Sequence, residues 1–182
     1  MNGLYIDIKR RLQDGNILTK LILVNVLVYL TLVVINILSA IVTGDTEAQF
    51  VSNFVYPYLQ FNSSLMDILF KPWALITHQF VHLLSPSHIL MNMFLLYFLG
   101  KMFLNYFSPK QLFGLYLLGG FFSAILLITV GNLSPLFEGG IRAIGASASV
   151  MAIAIAVCAY APKNEIHLFG VFKVRLQWVG LF

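Results

Sequence analysis

Residues 145–162 read GASASVMAIAIAVCAYAP. From Ala146 to Tyr160 every residue is apolar except Ser147, Ser149 and Tyr160, and the run stops at Ala161-Pro162. A helix of about 15 residues is too short for the hydrocarbon core of a bilayer, which takes about 20. Such a helix either begins below the membrane surface or is not a membrane helix. If it begins below the surface, Ser147 opens it inside the membrane profile, where a hydroxyl needs protein partners or a water-filled cavity. Ser147 is then either a packing and capping residue or a nucleophile.

The rest of the composition decides for a membrane. The chain has 182 residues, 59% of them hydrophobic and only 10% charged, against about 25% charged in a soluble domain. It is an integral membrane protein. The net charge of +4 is spread along the chain rather than gathered on one soluble face, so no nucleic-acid surface is expected. The single cysteine, Cys158, lies in an apolar run; it reads as an inert core residue and permits no internal disulfide.

Working outward from the short helix, Ala148, Ala152, Ala156 and Ala159 make it narrow on one side, which suits the centre of a bundle. Upstream, a Gly- and Pro-containing connection (131–144) follows a span over 112–130. In that span Gly119, Gly120, Ser123 and Ala124 form two overlapping small-xxx-small pairs, which let helix backbones approach closely. Before it lies a span over 88–107, with Ser87 as a candidate N-cap. Residues 44–87 are an irregular connection rich in aromatics and broken by Pro57, Pro72 and Pro86. Rings with polar tips favour the membrane interface, so a folded, membrane-embedded loop is expected, with short helices over 64–70 and 73–82. Residues 21–43 are uncharged and long enough to cross with some tilt. Residues 1–20 carry Lys9, Arg10, Arg11 and Lys20 and read as a cytoplasmic segment lying at the headgroups. Downstream, residues 162–175 are polar, and a fifth span starts at 176. The fold class is thus an all-α polytopic membrane protein: a helical bundle of four complete spans plus the start of a fifth, with an embedded loop between the first two.

Placing the N-terminus in the cytoplasm puts most Lys and Arg residues on the cytoplasmic side and only Lys71 and Arg142 outside, as the positive-inside rule requires. The N-terminal ends of the second and fourth spans then face outward, so His88 and Ser147 share one membrane level. Asn92 follows His88 by one helical turn and shares its face. Backbone N–H groups at the start of the fourth helix, an imidazole and an amide are the elements of an oxyanion site. His78 and His82 are also one turn apart; they could ligate a metal, but the reading adopted is that they hydrogen-bond loop carbonyls, with no metal or other cofactor.

Together, Trp73-Ala-Leu-Ile-Thr77-His78-Gln-Phe-Val-His82, His88-x-x-x-Asn92 and Gly145-Ala146-Ser147-Ala148 resemble the rhomboid family of intramembrane serine proteases. The resemblance covers residues from about 20 onward, and its order and topology are more specific than any one motif. It implies Ser147 as nucleophile, His88 and Asn92 lining the oxyanion hole, Trp73, His78 and His82 in a supporting loop, transmembrane helices as substrates, and a multi-pass protein of the plasma (inner) membrane. Three positions depart from the family pattern: Ala148 stands for a glycine, Ala74 for the arginine after Trp73, and Leu104 for an acidic residue. The family's general base is a histidine in an Ala-His-x-x-Gly setting of a sixth span, and no such setting occurs among these residues. His167 is too far along the chain from Ser147 to replace it. The domain over 21–182 is therefore expected to lack its base and, alone, to be inactive. The alternative is a non-catalytic relative that binds transmembrane helices. A transporter would want ionisable groups inside the spans; Lys101 is the sole candidate, and snorkelling accounts for it.

Overall fold

The computed structural model describes residues 16–44, 49–133, 135–137, 139–162, 165–168 and 172–175. The expected surface helix in 1–20 and the fifth span from 176 lie outside the described residues, apart from the first turn of α1.

Three helices are long and apolar enough to cross a membrane: α1 (Ile17–Thr43), α5 (Pro86–Leu104) and α6 (Pro109–Leu133). A fourth, α7 (Ser147–Tyr160), is apolar but short. Between α1 and α5 run a π-helical turn (Val51–Val55), α2 (Tyr56–Leu59), β1 (Phe61–Asn62), α3 (Leu65–Phe70), α4 (Ala74–Thr77) and a 3-10 turn (His78–Phe80). β2 (Arg142–Ala143) precedes α7, and β3 (Glu165–Leu168) pairs with β4 (Phe172–Arg175) in an antiparallel hairpin.

The helix ends shift from the expected ones for local reasons. Asn16 caps α1, its side chain accepting from Leu18 N–H at 3.4 Å, so the helix begins four residues before Leu21. Gly44 ends it at φ +69°. Pro86 opens α5, because a proline fits the first helical turn; its N-cap is Ser85, and Ser87, the expected cap, lies inside the helix with its hydroxyl 2.8 Å from that of Ser85. The expected helix over 73–82 is split into α4 and a 3-10 turn, after which the chain is extended at Val81.

α7 packs between α5 and α6. Its fully buried stripe is Val150, Ile153, Ala154, Val157 and Cys158, joined to Ile89, Leu96 and Phe103 of α5 and Leu112 and Tyr116 of α6. The alanine stripe is therefore not the core face. α6 comes close at Ala152: a Cβ on Gly119 would lie 2.7 Å from the Ala152 Cβ and 3.1 Å from the Ser149 Cα. Met151 and Ile155, on the other side, are exposed. Gly119→Val is accordingly expected to lower stability by about 1–3 kcal/mol, the usual cost of overpacking, read as a fall in the detergent-solubilised melting midpoint. An unchanged midpoint would mean the two backbones are not in contact.

Polar side chains tie these helices to the loop. Asn25 of α1 donates to Tyr116 Oη at 3.0 Å, and that hydroxyl reaches the carbonyl of Gln79 at 3.0 Å. All three residues are fully buried. The carbonyls of Pro57, Tyr58 and Leu59, at the end of α2, accept in turn from Lys71 Nζ, Trp73 Nε1 and Thr77 Oγ1 at 2.8–3.0 Å. Trp73 thus acts as a brace within the loop. Lys71 is also paired with Asp67.

Candidate active site

Two backbone pairings carry the segment before α7 onto the loop. β1 and β2 form a two-residue antiparallel ladder, Phe61 opposite Ala143 and Asn62 opposite Arg142. Beside it, the buried Ser63 accepts through Oγ from Ile141 N–H at 2.8 Å and donates its own N–H to the Ile141 carbonyl at 3.0 Å. Asn132 Nδ2 takes the Ser63 carbonyl at 2.8 Å. The chain then turns at Gly145 (φ +109°), a conformation side-chain-bearing residues rarely adopt.

That turn brings Gly145 against His88 and Ala146 against His82. The His88 ring lies against Gly145: a Cβ there would stand 2.8 Å from His88 Nε2. Gly145 N–H donates to the His78 carbonyl at 2.9 Å, and the N–H of the buried Ala146 donates to His82 Nε2 at 3.4 Å. The rings of His82 and His88 are 5.2 Å apart between centroids. His88 Nδ1 accepts from Leu83 N–H at 3.2 Å. Asn92 is buried on the same face as His88, one of its amide hydrogens spent on the His88 carbonyl at 2.8 Å.

The two loop histidines differ from each other. His78 donates through Nδ1 to the Ala74 carbonyl at 2.8 Å, which is the expected carbonyl bond. His82 faces across the site as well: its Nε2 accepts from the Ala146 N–H, while the loop backbone at Phe80 works against the effect of burial on its ring. Burial pushes His78 below the usual histidine range. Burial first, and the neighbouring His88 second, hold His82 at about 4, so at neutral pH it is uncharged and can accept.

The serines separate cleanly. Ser147 is exposed and begins α7. Ser149, two residues on, is fully buried and donates through Oγ to Gln79 Oε1 at 2.9 Å. Val150 N–H closes the first helical bond, onto the Ala146 carbonyl at 2.9 Å. The N–H groups of Ser147, Ala148 and Ser149 are therefore the open donors of the helix start. An exposed hydroxyl, open backbone donors and an imidazole against the preceding glycine can bind a carbonyl and stabilise negative charge on its oxygen.

Sequence reading missed Ser63, Gln79, Ser149, Asn25 and Tyr116. A weak signal for Gln79 was its place between two singled-out histidines.

The model of the Rhomboid domain family matches residues 69–182, well over half of the chain. No curated protein and no solved structure matches. The matched stretch contains the loop histidines, His88, Asn92 and Gly145 to Ser149, and with the apolar helices around them it makes this chain, an integral multi-pass membrane protein, a member of the rhomboid family.

Proposed function

We propose that this chain is the site-bearing part of an intramembrane serine peptidase, in which Ser147 attacks the peptide carbonyl and His88, Asn92 and the Ser147 N–H hold the resulting oxyanion. Rhomboids are generally intramembrane proteases that act on transmembrane substrates. The observation that carries the reading here is the contrast between the two serines: Ser147 is exposed at a helix start whose preceding glycine touches His88, whereas Ser149 is buried and already bonded.

A serine hydroxyl without a base is a weak nucleophile, and His78, His82 and His88 are otherwise engaged. His78 bonds the Ala74 carbonyl, His82 takes the Ala146 N–H, and His88 takes the Leu83 N–H. The backbone of His167 lies in β3, beyond the far end of α7. The 14 residues of α7 put about 20 Å between that end and Ser147 at 1.5 Å per residue, while a base must come within about 3 Å. The proposal therefore assigns the base to a histidine outside these residues, and the 182-residue chain alone is expected to be inactive. The test is reconstitution in liposomes with a transmembrane substrate. Cleavage blocked by a serine-reactive phosphonate is expected wherever a base-bearing segment is present. A preparation that binds such helices but neither cleaves nor labels would favour the non-catalytic reading.

The proposed orientation has the N-terminus in the cytoplasm, with the site near the outer surface. The exposed apolar residues of the loop, Leu65, Met66, Leu69 and Phe70 on α3 among them, support seating it in the membrane interface. In a Cys158→Ala background, Leu136→Cys is expected to react with an impermeant maleimide from outside the cell, and Pro162→Cys only after lysis. The reverse pattern would overturn the orientation.

A further inference from the structure

We propose that His82 and His88 are locked in opposite tautomers by two backbone N–H groups, and that His82 is a positioning residue that fixes the Gly145-Ala146 turn ahead of Ser147. Each ring faces a main-chain donor with a different nitrogen. Ala146 N–H points at His82 Nε2 and Leu83 N–H at His88 Nδ1. A nitrogen that accepts cannot carry the proton of a neutral imidazole. His82 is then the Nδ1–H form, although its buried Nδ1 has no acceptor at hydrogen-bond distance, and His88 is the Nε2–H form. The other tautomer of either ring, or its imidazolium, would set N–H against N–H.

Two consequences follow from this pairing. The proton of His88 sits on Nε2, the atom beside Gly145, so the ring meets the site as a donor. To act as a base it would have to give up Leu83 N–H. His82 in turn draws the Ala146 N–H inward, while the His78 carbonyl takes the Gly145 N–H. Both N–H groups before Ser147 are thereby withdrawn, and the oxyanion is left with the open donors of α7. His82 is fully buried, so it acts on the turn and not on substrate.

The tautomers stand on geometry alone; only their catalytic consequence rests on the peptidase reading of Ser147. The test is the imidazole 15N spectrum of 15N-histidine-labelled protein in nanodiscs at neutral pH, assigned with His78→Asn, His82→Gln and His167→Asn. One ring protonated at Nδ1 (His82) and one at Nε2 (His88) is expected; the same tautomer in both, or fast averaging, would overturn the pairing. In a preparation that cleaves substrate, His82→Phe removes the acceptor, and a misplaced turn costs on the order of 10²-fold. That loss is expected in kcat with KM little changed. His82→Gln, whose amide oxygen can accept the same N–H, is expected to recover most of it. Equal losses in both variants would reduce His82 to a packing residue. If no preparation cleaves yet the tautomers are opposite, the pairing stands and the peptidase reading falls. If Ser147→Ala abolishes cleavage yet the tautomers agree, the reverse holds.

Discussion

In a preparation that carries the base-bearing segment, Ser147→Ala is expected to abolish cleavage and phosphonate labelling, while Ser149→Ala keeps both and loses stability. Removing the nucleophile of a serine peptidase costs on the order of 10⁶ in kcat, which is complete loss in any membrane assay. The neighbouring serine separates chemistry from packing. Ser149 Oγ is the donor to Gln79 Oε1 at 2.9 Å in a fully buried setting. Without it the Gln79 oxygen is left buried and unbonded, at about 1–3 kcal/mol. The expected readout is a lower melting midpoint with labelling intact. Labelling that survives Ser147→Ala, or that is lost only in Ser149→Ala, would move the nucleophile off Ser147.

The contrast between these serines also marks the limit of sequence reading. The small-residue run around them is legible, because apolar length and a helix start are local properties. The face each serine occupies is set by α6, where Gly119 and Gly120 admit Ser149 and Gln79 at van der Waals contact. The four apolar helices were legible for the same local reason; their starts moved at Asn16, Pro86 and Pro109, where a cap or a proline decides, and α5 ends earlier, at Leu104, and α6 later, at Leu133, than composition suggested. The loop was legible as a composition but not as a shape. Its position depends on Phe61 and Asn62 pairing with residues about eighty positions away, and on Ser63 bonding Ile141. Two-residue ladders have no periodicity to detect. Residues 162–175 read as polar connection and contain a hairpin whose strands pair Glu165 with Arg175 and His167 with Lys173; alternation over four residues is too short to separate from chance. The site was half legible. His88, Asn92 and Ser147 stood out as polar groups in apolar surroundings, while the bonds that orient them run through main-chain N–H groups, which every residue carries and no sequence marks.

In the same base-bearing preparation, Gly145→Ala is expected to remove most activity while leaving the membrane fold in place. Two penalties coincide at this position. At φ +109° a residue with a Cβ is strained by about 1–3 kcal/mol. The added carbon would also stand 2.8 Å from His88 Nε2 and 2.9 Å from Cε1, closer than carbon and nitrogen tolerate. The backbone on the far side cannot retreat, because Gly145 N–H is tied to the His78 carbonyl and Ala146 N–H to His82. His88 is the group that can move, and its loss from the site would cost what removal of one oxyanion donor costs, about 10²–10³-fold in kcat. Since Ser147 itself is untouched, slow phosphonate labelling is expected to persist, which distinguishes this variant from Ser147→Ala. The helices pack through Val150, Ile153 and Val157, downstream of the turn, so the melting midpoint should fall by no more than the local strain. If Gly145→Ala turns over substrate at the parent rate with an unchanged midpoint, the His88 ring does not sit against this glycine, and the oxyanion assignment loses its geometric basis.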